Sequence, residues 1–129
     1  MVKSTFSKMT ELIACLSTGK GSWREVSALI REGKYDKIYL ITNDFGKQNY
    51  TKDDKTELIA VIKDRRDQTL TQLRDEIHDA LKDKVKDIEV AINFVSGSGD
   101  EHMALMSALM KLGIGFRIVL LTENGVIEL

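Results

Sequence analysis

The chain contains no proline, one cysteine, one tryptophan and only 6% aromatic residues. Without proline there is no X-Pro bond to isomerise, so folding carries no prolyl-limited step. Cys15 cannot form an internal disulfide. Its place inside the apolar run Leu12-Ile13-Ala14-Cys15-Leu16 reads as a small buried hydrophobe. That usage fits a reducing compartment, and a cytoplasmic location is expected. The opening residues MVKSTFSKM hold no apolar h-region, so no signal peptide is expected. No apolar stretch approaches the roughly 20 residues that span a bilayer, so no membrane partner is expected either. An excess of one charge is also lacking. Nineteen Lys and Arg against 20 Asp and Glu leave a net charge of −1, which excludes strong steering toward duplex nucleic acid but not a local basic pocket.

What is present is ordinary for one globular domain: 129 residues, 43% apolar and 30% charged, with no repeat, low-complexity tract or linker. A single domain over 1–129 is expected. The run Leu12–Leu16, closed by Ser17-Thr18-Gly19-Lys20-Gly21, reads as a strand buried on both faces. Ser22-Trp23-Arg24-Glu25 has the S-x-x-E form of a capping box. It opens a helix to about Glu32, striped by Val26, Leu29 and Ile30 and ended by Gly33. Lys37–Thr42 (KIYLIT) is a second strand. Residues 43–55 are polar and read as a long loop holding at most a helical turn.

Glu57–Lys63 fits a strand better than a helix start, because the run is short and Asp64-Arg65-Arg66-Asp67 breaks it. Leu70, Leu73, Ile77, Leu81 and Val85 recur at helical spacing and mark a helix packed on a sheet. Ile88–Val95 is a further strand. Ser96-Gly97-Ser98-Gly99 then leads into a helix over Asp100–Leu112, stopped by Gly113. Phe116–Thr122 and Val126–Leu129 flank Asn124-Gly125, which predicts a hairpin with a type I′ turn.

The order β-α-β-β-α-β-α-β-β predicts a three-layer, Rossmann-like α/β domain. Its sheet is mostly parallel, with helices on both faces and a C-terminal antiparallel hairpin. If the first three strands spread to one side, the chain must cross back to set the fourth beside the first. That reversal leaves a crevice at their carboxyl ends, where open α/β sheets bind ligands. The loops there are also the most Gly- and Ser-rich in the chain. The candidate ligand-binding residues are Ser17, Thr18, Gly19, Lys20, Gly21 and Ser22 on the first, and Asn93, Ser96, Gly97, Ser98, Gly99 and His102 around the second. Glycines let a ligand approach the backbone, and helix starts suit a phosphate that Lys20 would pair.

The same residues also serve as ordinary turn chemistry. Ser98-Gly99-Asp100-Glu101 repeats the S-x-x-E box, and its two acids oppose a phosphate. Gly19-Lys20-Gly21-Ser22 breaks the P-loop spacing, and no G-x-G-x-x-G is present, so no dinucleotide cofactor is expected. His102 beside Glu101 allows an acid–base role or simple capping. His78 has no second ligand at metal spacing, so no metal is expected. Arg65-Arg66 reads as solvated. The helix Met103–Leu112 is apolar nearly all round, which fits either a deeply buried helix or a homodimer interface.

Asn93-Phe94-Val95-Ser96-Gly97-Ser98-Gly99, followed by MALMSALMKLG and FRIVLL, resembles the CARF (CRISPR-associated Rossmann-fold) domains. LIACLSTGKGS, KIYLIT and ELIAVIKD are similar to that family's opening and middle units. Gly99 stands where the family usually carries a cation. The resemblance implies a homodimer whose clefts bind a cyclic oligoadenylate or related nucleotide. It implies an antiviral-defence sensor subunit or a metal-independent ring nuclease, with no room for an appended nuclease or DNA-binding domain. In a ring nuclease Lys20 would be the catalytic charge stabiliser. A non-catalytic assembly subunit with a vacant cleft is the third alternative.

Overall fold

A computed structural model describes residues 9–16 and 19–129. Six strands form one sheet in the order β3-β2-β1-β4-β5-β6. They are β1 (Glu11–Cys15), β2 (Lys37–Thr42), β3 (Thr56–Ala60), β4 (Glu89–Asn93), β5 (Gly115–Thr122) and β6 (Gly125–Glu128). Every pairing is parallel except β5 with β6. The helices are α1 (Trp23–Gly33), α2 (Asp44–Asn49), α3 (Leu70–Leu81) and α4 (Gly99–Leu112). This is the expected Rossmann-like α/β architecture, with the reversal between β3 and β4 placing β4 beside β1.

Alternation along the inner strands builds the two apolar layers. Leu12, Ala14, Ile38, Leu40 and Ala91 face α1, where Trp23, Val26 and Leu29 meet them. Ile13, Cys15, Ile41, Val90 and Ile92 face the other way, against Leu73, Ile77 and Leu81 of α3 and Leu105, Ala108 and Leu109 of α4. β1 is buried along its whole length because strands flank it and helices cover both faces. Truncating Ile77 to Ala inside that layer costs about 2–5 kcal/mol.

Several boundaries depart from expectation for identifiable reasons. β1 starts at Glu11, one residue early. That carboxylate is only 4% exposed because the backbone N–H groups of Lys86 and Asp87 donate to it. β4 covers less than Ile88–Val95: Asn93 ends it, its Oδ1 taking the Val95 N–H while its Nδ2 donates to the Val119 carbonyl. The stretch 43–55 is not wholly loop. Asn43 accepts from the Gly46 N–H at 2.8 Å and starts α2. β3 stops at Ala60, short of Lys63. Gln68 then bonds the Val61 carbonyl and the Lys63 N–H.

Gly33 is the last residue of α1, as expected, but the left-handed cap falls on Lys34 (φ 54°). A Cβ at Gly33 would meet the Tyr35 ring at 2.2 Å, so glycine is there for space. α3 ends at Leu81, and one further turn, Val85 N–H to Leu81 carbonyl, keeps Val85 on the core. The hairpin turn is not type I′. Asn124 keeps a negative φ, and the positive φ falls on Gly125 (99°), which pairs with Thr122 as a glycine bulge.

Candidate functional site: the crevice between the first and fourth strands

β1 and β4 run side by side in parallel register, Leu12 opposite Ala91 and Ala14 opposite Asn93. Their carboxyl ends therefore release two loops at one rim of the sheet. Ser22 Oγ donates to Ser96 Oγ at 2.7 Å and ties those loops together. Ser96 is only 2% exposed. Its carbonyl accepts from His102 Nε2–H at 2.8 Å, which fixes the tautomer. The imidazole also stacks on Phe94, with ring centroids 4.3 Å apart. His102 is thereby held in place beneath the second loop.

Gly97 has φ 101°, a conformation side chains rarely adopt, and a Cβ there would lie 2.9 Å from Cys15 Cβ. The second loop thus lies directly on the end of β1. Cys15 is fully enclosed, and burial, with the Glu101 carboxylate adding to it, pushes its thiol pKa far up. A buried thiol held protonated is no nucleophile.

The two helix starts differ. At α4 the expected capping box forms: the Ser98 N–H donates to Glu101 Oε1 at 3.0 Å and the Glu101 N–H to Ser98 Oγ at 3.2 Å. Asp100 in the same turn is paired with Arg65. At α1 the expected box does not form. Ser22 has helical angles (φ −81°, ψ −13°) and makes no side-chain cap bond, because its hydroxyl is turned toward Ser96.

Lys20 is exposed on the first loop. Its Nζ lies 5.9 Å from the Trp23 ring centroid and 5.8 Å from that of Phe45. Gly19, Gly21 and Gly99 are exposed, and a Cβ at Gly21 or Gly99 would enter open space. Ser17 and Thr18 lie outside the described residues. The structure thus brings Lys20, Ser22, Ser96, Gly97, Ser98 and His102 to one rim, with Asn93 engaged as the strand terminator below it.

A cleft of about 620 Å³ opens beside this rim on the α1 face. Phe94 and Val95 line it where β4 ends, with Val119 and Leu121 of β5, Leu29 of α1 and Leu129. Among the described residues Glu25 is the only charged side chain on its wall. The space is apolar, suited to a flat or greasy group.

Sequence reasoning missed Phe45, Tyr50 and Arg65. Phe45 and Tyr50 come from the stretch read as loop. The available signal was Asn43-Asp44 directly after a strand, an N-cap pair. Both arginines read as solvated are exposed, Arg65 pairing with Asp100 and Arg66 with Asp64 two residues away. His78 is paired with its neighbour Asp79. Among the described residues no group of three or more His, Cys, Asp or Glu side chains is arranged to hold a metal ion, and no helix is long and apolar enough to cross a membrane.

Strand order, reversal and layers define a Rossmann-like α/β domain. No family model matches the chain. No curated protein matches its sequence. Among solved structures, the C-terminal domain of a hydrogenase from Pyrococcus furiosus is similar over 87% of this chain and 92% of its own, at 11% identity and a TM-score of 0.49. At that distance none of the neighbour's chemistry transfers.

Proposed function

We propose that this domain is a ligand-binding regulatory module that senses a nucleotide, a cyclic oligoadenylate in the first instance, at the crevice above β1 and β4. The observation that carries this is the joining of the two carboxyl-end loops through Ser22 and Ser96, beside an open cleft and an exposed Lys20. Ligands in open α/β sheets occupy this switch point. α1 begins there without a side-chain cap, and Lys20 supplies a cation for a phosphate.

Binding is favoured over turnover by the state of the polar groups. His102, Asn93 and Glu101 are already engaged within the protein. The ring-nuclease alternative leaves Lys20 as the stabiliser of charge on the phosphate.

Titration calorimetry against cyclic tetra- and hexa-adenylate, linear oligoadenylates and adenosine monophosphate tests the proposal. A cyclic species binds the native protein, and Lys20→Ala weakens it by about tenfold or more. Absence of binding across that panel removes the proposal. Recovery of intact ligand after long incubation supports a sensor, whereas a linear product moves the assignment to the ring nuclease.

One observation favours the assembly-subunit alternative, and with it the proposed homodimer. α4 buries Ala104, Leu105, Ala108 and Leu109 against the sheet and α3, yet leaves Met103 50% and Met110 65% exposed. A self-associating surface there predicts that Met110→Lys shifts a dimer to monomer in sedimentation.

A further inference from the structure

We infer that Phe45 is the base-stacking platform of this crevice: the ring on which a nucleobase of the bound ligand rests while Lys20 takes the adjoining phosphate. The inference rests on the nucleotide assignment above and adds a specificity-determining residue to it.

The placement of Phe45 follows from the sheet order. β2 lies beside β1, so its carboxyl end opens on the same rim as the loop after β1. Thr42, the last residue of β2, donates through Oγ1 to the Leu16 carbonyl at 3.1 Å, which joins the two strand ends. Asn43 then caps α2 and delivers Phe45 in its first turn. Gly46 must be glycine for this to happen, because a Cβ there would meet Thr42 Oγ1 at 1.9 Å.

The ring is 41% exposed. It is also rigidly backed. Trp23 lies against it at 5.9 Å between centroids, and Tyr50 meets Trp23 edge-on at 5.6 Å. The Tyr50 hydroxyl is anchored on Ser27 Oγ at 2.7 Å. An exposed aromatic ring supported from behind, with the Lys20 ammonium over it, has the parts of a nucleotide-binding surface: a π-face for any base and a charge for the phosphate. The ammonium–ring contact is weak at an exposed site, so an incoming base can displace Lys20 from the ring toward its own phosphate. Asp44, beside Phe45, disfavours a bare anion at this spot, which leaves the ring face as the attractive element.

Trp23 is the only tryptophan and touches both Phe45 and Lys20, so its fluorescence reports on the platform directly. The test titrates that signal with cyclic tetra-adenylate and with adenosine 5′-monophosphate, for the native protein and for Phe45→Ala, Phe45→Leu and Phe45→Trp. The expected result is a loss of affinity of about tenfold in Phe45→Ala and in Phe45→Leu, with Phe45→Trp near native. Ribose 5-phosphate, which has no base, binds all four proteins alike. If Phe45→Ala alone fails to keep the native circular-dichroism spectrum, Phe45→Leu decides the matter. Equal affinities for native protein and Phe45→Leu overturn the platform and leave the nucleotide assignment standing. A native protein that binds neither adenylate overturns both.

Discussion

α1 and α4 open with the same spelling, Ser22-Trp23-Arg24-Glu25 and Ser98-Gly99-Asp100-Glu101, each on a loop leaving one of two neighbouring strands. Only the second becomes a capping box. Ser98 is extended (φ −104°, ψ 165°), which aims its hydroxyl back at the Glu101 N–H. Ser22 is preceded by an extra turn, Trp23 N–H to Lys20 carbonyl, which leaves it already helical and swings its hydroxyl across to Ser96. A box motif states which atoms can meet, while the backbone entering the helix decides whether they do. The difference gives the crevice one helix start closed by a capping box and one whose serine hydroxyl instead ties the two loops together.

The comparison can be broken most forcefully at Gly97, which holds the closed loop against Cys15. Gly97→Val adds strain at φ 101° and a side chain where a Cβ alone would sit 2.9 Å from Cys15 Cβ. A loss of about 3 kcal/mol is expected in urea unfolding, and a native midpoint would show that the loop has somewhere to move. Next comes the pair of helix starts themselves. Ser98→Ala removes a working cap and costs about 1 kcal/mol, whereas Glu25→Ala removes the acid of a box that never forms and changes stability by less than about 0.5 kcal/mol. Equal losses would mean that α1 is capped in solution after all.

The gentlest probe is alkaline pH. The Cys15 pKa is raised by burial. That of Tyr39 is pushed up to about 12 by burial and then by the Glu11 and Glu57 carboxylates. The native state therefore keeps protons that the unfolded chain releases. These groups give their full stabilisation below their ordinary pKa values, about 8.5 and 10, and lose it as pH rises from there. The unfolding midpoint should fall through that window, with a shallower slope in Cys15→Ala. The same thiol stays unreactive toward alkylating agents in the free protein, and a ligand that parts the loops should speed its labelling.

Strand positions, the reversal and the layer count were legible in the sequence because the inner strands are continuous apolar runs and α3 has clean helical spacing. What escaped had no apolar signature. α2 buries only Gly46, so no periodicity marks it. Glu11 looks like a boundary residue, and its burial is made tolerable by two N–H groups far along the chain together with the Tyr39 hydroxyl. The apolar excess of α4 was correctly noticed, but its spacing cannot say that α3, itself read as a helix packed on a sheet, packs along it. At the site, the loops and their residue types were readable. The directions of Ser22 and His102, and the arrival of Phe45, depend on tertiary geometry.

β1 stands at the middle of the sheet, and Glu11 at its foot is bonded to Lys86, 75 residues away. A ribosome that has delivered β1, β2 and β3 has made a strand with one missing neighbour and one bare face, where Ile13 and Cys15 await α3 and α4. Completing the sheet therefore requires a distant closure, the slow kind of contact in any chain. Until β4 arrives, the nascent half is the species that a chaperone would recognise.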